Sequence, residues 1–250
     1  CKVNYKNKFI HYKKGGLVKV KNKCIIFVFL FFCSTLGIKL AAYNKELFTH
    51  IYNTHAWPGK ESLSGPGSTL KETAIIRKKI SELLQDLNVK IFLDAPCGDF
   101  HWMRHTDLSF IEQYIGMDIV DPLIRKNKQR YEDENRQFVC ANIVTDPLPQ
   151  ADIMLCRDCL VHLRFEDIQQ ALKNMKDSGI TYLLVTTYPR TQINQKLNIT
   201  APRPWRPLNL QKPPFNFPEP LVLINEGCKH DKKYPDKSLG LWKLEDISTI

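Results

Sequence analysis

Val89-Lys-Ile-Phe-Leu-Asp-Ala-Pro-Cys-Gly-Asp-Phe100 is an apolar, β-branched run that ends in an acid and breaks into a tight Pro96-Cys97-Gly98 turn. A second short run, Gln113-Tyr-Ile-Gly-Met-Asp118, closes on another acid 24 positions after Asp94. Strand, Gly-containing turn, crossover, strand and acid are the parts from which an open α/β sheet builds a nucleoside pocket. The turn lets the backbone approach a ligand, and a carboxylate ending the second strand can accept both ribose hydroxyls.

The pattern continues outward from this pair. Glu61-Ser-Leu-Ser-Gly-Pro-Gly67 is turn chemistry, and Ser68 or Thr69, with Glu72, predicts a capping box for a helix through Asn88. Its apolar stripe is Ile75, Ile76, Ile80, Leu83, Leu84 and Leu87. Strands are expected at 89–94, 113–118, 136–141, 151–156 and 181–187, with a helix or turn around 101–109 and helices after Asp121-Pro122 and over 165–177. Repeated β-α-β units imply a mostly parallel sheet, with the ligand at the carboxyl ends of its strands. The next stretch is crowded by Pro202, Pro204, Pro207, Pro213, Pro214, Pro218 and Pro220 and suits a lid or the substrate-side edge of the sheet. Short strands at 221–224 and 239–244 then suggest a hairpin at the sheet edge.

Charge separates the N-terminus from the rest. Residues 1–23 carry eight lysines and no acid, and the remaining chain holds 28 basic against 26 acidic residues. The basic pI therefore belongs to a tail, and the remaining chain, at only +2, gives no support to a nucleic-acid-binding face. Fifteen uncharged, mostly apolar residues, Cys24–Ile38, precede Lys39-Leu-Ala-Ala-Tyr43. They are short for a membrane span of about 20 residues and fit a secretory signal or signal anchor. This sets a boundary between residues 1–45, tail plus apolar segment, and a domain over 46–250. Membrane association or secretion would run through residues 24–43. By contrast, Cys97, Cys140, Cys156, Cys159 and Cys228 lack disulfide-scaffold spacing and place the domain in a reducing, cytoplasmic compartment. The chain opens on Cys1 rather than Met, so residues 1–45 are either a true signal or anchor or a misassigned start.

Two chemical constellations stand out. Around Asp94, Cys97 and Gly98, a dinucleotide site would need G-x-G-x-x-G, but Gly98 is the only glycine, and Asp99 would repel a pyrophosphate. An acid is acceptable if the ligand is cationic, and S-adenosylmethionine carries a sulfonium and an ammonium. The charge pattern therefore favours that cofactor over a nicotinamide dinucleotide. Cys156-Arg157-Asp158-Cys159 with His162 leaves the fourth strand. As zinc ligands these residues lack a fourth partner, and as a redox pair they lack a thioredoxin context. As pocket lining, Arg157 and Asp158 can orient cofactor or substrate, and His162 can act as a general base or be a core histidine satisfied by backbone. No metal site is expected.

Trp57, Glu61-Ser-x-Ser-Gly-x-Gly-Ser-Thr-Leu70, Leu93-Asp-Ala-Pro-Cys-Gly-Asp-Phe-His-Trp-Met103, Tyr114-Ile-Gly-Met-Asp-Ile119 and Leu155-Cys-Arg-Asp-Cys-Leu-Val-His-Leu163 together resemble a group of class I S-adenosylmethionine-dependent methyltransferases. Pro207-Leu-Asn-Leu210, Pro213-Pro-Phe-Asn-Phe-Pro218 and Lys237-Ser-Leu-Gly-Leu-Trp242 extend the likeness over about residues 50–248. The resemblance implies a Rossmann-like α/β fold: a seven-stranded, mostly parallel sheet with helices on both faces and an antiparallel last strand. It implies methyl transfer from S-adenosylmethionine to a small-molecule or protein acceptor. Asp94, Cys97 and Gly98 would line the methionine end, Asp118 would hold the ribose, Asn142 and Ile143 would face the adenine, and Arg157 would complete the cofactor site. Asn142 stands where the family usually has Asp at the adenine amine. His162 and Asp158 are the catalytic candidates. A non-catalytic, membrane-tethered module of the same fold is the alternative. Lys212-Pro-Pro-Phe215 imitates the Asn/Asp-Pro-Pro-aromatic clamp of amino-methylating enzymes but follows the fifth strand instead of the fourth; Phe215, Asn216 and Phe217 are expected in a lid or pocket wall, or in a structural loop.

Overall fold

The computed structural model describes residues 43–228 and 233–248, all within the compact unit Leu40–Ile250. The lysine-rich residues and almost all of the apolar segment at 24–43 lie outside the described residues, and the expected signal or anchor lies there with them. Among the described residues no helix is long and apolar enough to cross a membrane.

Seven strands form one sheet in the order β3-β2-β1-β4-β5-β7-β6. They are β1 Ile91–Asp94, β2 Gln113–Asp118, β3 Arg136–Cys140, β4 Ile153–Cys156, β5 Tyr182–Thr187, β6 Val222–Asn225 and β7 Ser238–Lys243. Strands β1 to β5 are parallel, and β7 runs antiparallel to both β5 and β6. Chain order reverses between β1 and β4, and this switch point opens a crevice at the strand ends. The fold expected from the sequence is present, with the hairpin's second strand inserted between β5 and β6.

Side-chain alternation along the strands builds two cores. Phe92, Ile153, Leu155 and Leu184 face one side, covered by α2 (Ala74–Asp86) through Ile76, Ile80 and Leu84 and by α3 (Asp121–Tyr131) through Ile124. Leu93, Met154, Leu183 and Val185 face the other, covered by α4 (Phe165–Asp177) through Ile168, Ala171, Leu172 and Met175. These α4 positions recur at helical spacing on one stripe, as the sequence predicts. Asp121 in the first turn of α3, with Lys128 and Arg130 in its last, complements the helix dipole.

Three expectations change. α2 begins at Ala74, because Thr69 Oγ1 is spent one turn earlier, accepting the Glu72 N–H at 3.3 Å, and Ile75 points outward. The helix or turn expected around 101–109 is narrowed to a 3-10 turn, Met103–His105, because Gly98 (φ 54°) and Phe100 (φ 57°) both leave the right-handed region a longer helix requires. The proline-rich stretch is not a lid at Phe215 and Phe217. Both are buried in the α4-side core, away from the cavity described below, so they belong to a structural loop. Polar side chains replace ladder partners for this irregular backbone: Asn194 Nδ2 donates to the Asn209 and Pro213 carbonyls, and Arg206 donates to those of Val161, Leu163 and Gln195.

Candidate active site

A cavity of about 390 Å³ opens at the carboxyl ends of the strands. Its floor is laid down by five successive strand exits: Pro96–Gly98 after β1, Met117–Val120 at β2, Ala141–Val144 after β3, Arg157–Cys159 after β4 and Tyr188 after β5. Its roof comes from helical residues 43–53 (α1), which contribute Asn44, Phe48, Ile51 and Tyr52, and from the loop carrying Trp57 and Ser64–Ser68.

One end is organised by Asp118. Its Oδ2 accepts the Gly98 N–H at 3.1 Å and its Oδ1 accepts the Val120 N–H at 3.0 Å, so the carboxylate fixes the β1 turn and its own strand exit together. Burial pushes its pKa up to about 6, with those backbone donors opposing the shift. Each oxygen keeps a lone pair for a further donor. Gly98 cannot carry a side chain here. Its φ is 54°, and a Cβ would run into Ser64 Oγ, so backbone and roof approach closely at this point. Asn142 and Ile143 also line this end. The Asn142 Oδ1 already accepts the Val144 N–H at 2.9 Å in a local turn.

Two residues sit elsewhere than their motif suggests. Asp94 is not on the cavity wall. Only 2% exposed, it lies behind that wall and accepts the Tyr114 hydroxyl at 2.7 Å, and burial raises its pKa to about 7. Asp99 is turned toward the roof loop, where it accepts from Ser62 Oγ at 3.0 Å and from the Leu63 N–H at 2.7 Å. It caps that loop and is not part of the cavity wall.

The other end is organised by a buried charge network. Arg157 donates to Glu226 through Nε and Nη2, the latter at 2.7 Å, and to the Gly67 carbonyl at 2.9 Å. Lys237 Nζ bridges Asp158 at 2.5 Å and Glu226 at 3.4 Å. Burial works against the charge on Arg157, yet Glu226 and Asp158 hold its pKa well above the usual value. Lys237 and Arg157 overcome the same burial effect at Asp158 and keep its carboxylate below the ordinary range. A carboxylate held that way is a weak base, so the catalytic part expected of Asp158 gives way to that of a positioning residue.

His162 lies on the cavity wall between Phe48 and Trp57, with ring centroids at 5.8 and 5.4 Å. Its Nδ1 is 2.5 Å from the Pro204 carbonyl, which can only accept, so Nδ1 carries the proton and Nε2 keeps its lone pair. Burial lowers its pKa and keeps the ring neutral near pH 7. Cys97, Cys140, Cys156, Cys159 and Cys228 are free thiols, and among the described residues no cluster of three or more His, Cys, Asp or Glu is placed to hold a metal.

Sequence reading missed the roof. Asn44 is buried, and its Nδ2 has no hydrogen-bond partner among the described residues; the same holds for the Tyr52 hydroxyl. Both residues border the cavity, and a buried donor without a partner is what a bound polar ligand would satisfy. Tyr188, Trp205, Tyr234 and Glu226 were also missed; no local pattern marks them, because they meet only in space. Lys237 fell inside a quoted motif without a role.

A strand-end cavity with a ribose-type carboxylate, a close-approach glycine and orphan donors in its roof fits an adenosine cofactor. This is the architecture of a class I S-adenosylmethionine-dependent methyltransferase. Residues 93–178 match a family model described as a methyltransferase domain, and this match together with the fold supports a class I methyltransferase that uses S-adenosylmethionine. Among solved structures, the 1,6-didemethyltoxoflavin-N1-methyltransferase of Burkholderia thailandensis, determined with 1,6-didemethyltoxoflavin and S-adenosylhomocysteine bound, aligns over 82% of this chain and 88% of its own. It shares 15% identity at a TM-score of 0.56, which is a likeness of fold. Human N-acetylserotonin methyltransferase aligns at a TM-score of 0.47 with 13% identity, over 76% of this chain and 61% of that one. The N-methyltransferase NodS of Bradyrhizobium japonicum aligns at 0.46 with 11% identity, over 66% and 85%. No curated protein matches the sequence.

Proposed function

We propose that this enzyme transfers the methyl group to an acceptor bound at the His162 end of the cavity. S-adenosylmethionine supplies an electrophilic methyl group on a sulfonium. Asp118 takes the ribose hydroxyls, Gly98 and Cys97 lie along the methionine portion, Asn142 and Ile143 flank the adenine, and the roof donors Asn44 and Tyr52 cover it. Arg157, locked by Glu226, fixes the β4 exit where the two halves of the site meet. Asp158 and Lys237 hold each other there. The chemistry asks mainly for contact, dryness and a base, and His162 supplies the base.

The observation that carries this reading is the contact of His162 Nδ1 with the Pro204 carbonyl, on a ring that borders the cavity. A neutral imidazole with Nδ1 tied to the Pro204 carbonyl presents Nε2 as a fixed proton acceptor on the cavity wall. A core histidine satisfied by backbone would use the same bond, but its ring would not border a cavity. The acceptor is a small molecule or an inserted side chain; tethering to a membrane belongs to residues outside those described.

The test separates chemistry from binding. With methyl-labelled cofactor and an extract-derived acceptor pool, His162→Gln should lower the transfer rate by about 10²-fold or more, the usual contribution of a positioned base. S-adenosylhomocysteine affinity, read by calorimetry, should stay within about twofold of the parent. Equal loss of both would remove His162 from catalysis.

A further inference from the structure

The half of the cavity beyond His162 has a composition of its own. Tyr188, Trp205 and Tyr234 all border it and contact one another, with centroids 5.8, 5.7 and 5.1 Å apart and tilted or edge-to-face planes. Trp57 and Phe48 flank His162 on the near side. Five rings around one lobe make a wall suited to a flat π system, and an aliphatic or sugar acceptor would use little of it.

The charges on this wall are unbalanced. Arg157 and Lys237 are answered by Asp158 and by Glu226, which lies fully buried behind them. Arg203 is left over. It borders the cavity 5.9 Å from the Trp57 ring, donates through Nη1 to the Ala56 carbonyl at 3.1 Å, and has no carboxylate within ion-pair reach among the described residues. Several of its five donors remain available. A cationic acceptor would meet this surplus positive charge and the sulfonium together, whereas an anionic one is complementary to both.

We propose that the acceptor is a hydroxylated aromatic acid, its ring held by the Tyr188, Trp205 and Tyr234 wall, its carboxylate drawn to Arg203 and its hydroxyl presented to His162. This rests on the methyl-transfer reading of the same site and narrows it. The acceptor hydroxyl gives its proton to Nε2 of His162. Its oxygen forms the new bond to the methyl carbon as the carbon–sulfur bond breaks with its pair on sulfur, which leaves a neutral thioether and an aryl methyl ether. The positive charge of the sulfonium ends on the His162 imidazolium, so net charge is conserved, and the aromatic wall keeps water from the reacting atoms.

The discriminating experiment uses Trp57 and Trp205 as fluorescent reporters in the full chain saturated with S-adenosylhomocysteine. The probes are 4-hydroxybenzoate, tyramine, which has a similar ring with an ammonium in place of the acid, and a tyrosine-containing peptide. The expected result is saturable quenching by 4-hydroxybenzoate at a concentration about tenfold or more below that for tyramine or peptide. Arg203→Ala should reduce that preference to about twofold or less, and Arg203→Lys should keep most of it. Tighter binding of tyramine or the peptide, no saturable binding of the acid, or a preference unchanged in Arg203→Ala would each overturn the acceptor class. Calorimetry with S-adenosylhomocysteine keeps the two readings apart: its binding with no acid preference sinks only this proposal, and its failure to bind the parent protein sinks the cofactor site beneath it.

Discussion

The two ends of the cavity are built by different means. The Asp118 end is assembled from consecutive strand exits, and its key carboxylate is fixed by backbone amides at positions 98 and 120. The His162 end is assembled from pieces far apart in the chain: Trp57, Tyr188, Trp205, Tyr234 and a salt-bridge network joining residues 157, 158, 226 and 237. Backbone geometry repeated by the fold makes a generic cofactor cradle. Side chains gathered from loops and the final hairpin make an individual acceptor lobe, and they need a buried ionic clamp to stay gathered.

Breaking that clamp gives the largest expected effect. Glu226 is wholly buried and, like Asp158, contacts both Arg157 and Lys237. Glu226→Ala leaves Arg157 and Lys237 to share Asp158, one buried positive charge too many, and should cost about 3–5 kcal/mol in urea unfolding, the usual penalty for removing one partner of a buried pair. A loss below about 1 kcal/mol would mean the network is solvated and the lobe is held by its aromatic contacts alone.

The matching perturbation at the other end is Asp118→Ala. It removes the partner of two backbone amides and the acceptor for two ribose hydroxyls. With charge-assisted hydrogen bonds worth about 1.5–3 kcal/mol each, S-adenosylhomocysteine binding should weaken by about 100-fold or more in calorimetry. The comparison sharpens if 4-hydroxybenzoate quenching survives in this variant, since the lobes would then be separable. A change below about fivefold would show that the roof, and not the β2 carboxylate, carries the cofactor.

Asn44→Ala probes that roof with a smaller stake. One neutral donor that gains its partner only on binding is worth about 1 kcal/mol, so affinity for S-adenosylhomocysteine should fall about fivefold. Unfolding should barely move, because no protein hydrogen bond is lost at Nδ2. Unaltered affinity would leave that orphan amide without a ligand to serve.

Legibility in the sequence follows the same division. The strand run at 89–94, the acid at 118 and the stripe on α4 are local patterns with a physical period, and the sheet and the Asp118 corner follow from them. Asp94 and Asp99 misled because a motif gives spacing without direction: one carboxylate turned inward to Tyr114 and the other upward to Ser62. The sequence leaves helix and turn both open near 101–109, because the positive φ at Phe100 that decides between them is announced by no propensity. Glu226 and the aromatic lobe were illegible for a simpler reason. Their partners lie from 11 to more than 100 residues away, and only tertiary packing brings them together.

Acid–base behaviour distinguishes the two ends most gently. Asp118 and Asp94 have folded-state pKa values raised by burial to about 6 and about 7, above the unfolded value of 3.8. Between those limits the folded chain holds protons that the unfolded chain has released, so stability falls as pH rises from about 4 to about 7 through these two groups. Asp158 works in the opposite sense. Its folded value is depressed by Lys237 and Arg157, so its contribution is complete above about pH 4 and is lost only in stronger acid. Urea unfolding across pH 4–7 should therefore show a decline that Asp94→Asn reduces, because the amide bears no charge to bury. Adding S-adenosylhomocysteine should flatten the Asp118 part of it, since ribose hydroxyls bonded to the ionised carboxylate draw that pKa back down. A slope unaffected by the ligand would mean that Asp118 faces no hydroxyls, and the contrast between a backbone-built cradle and a side-chain-built lobe would lose its first half.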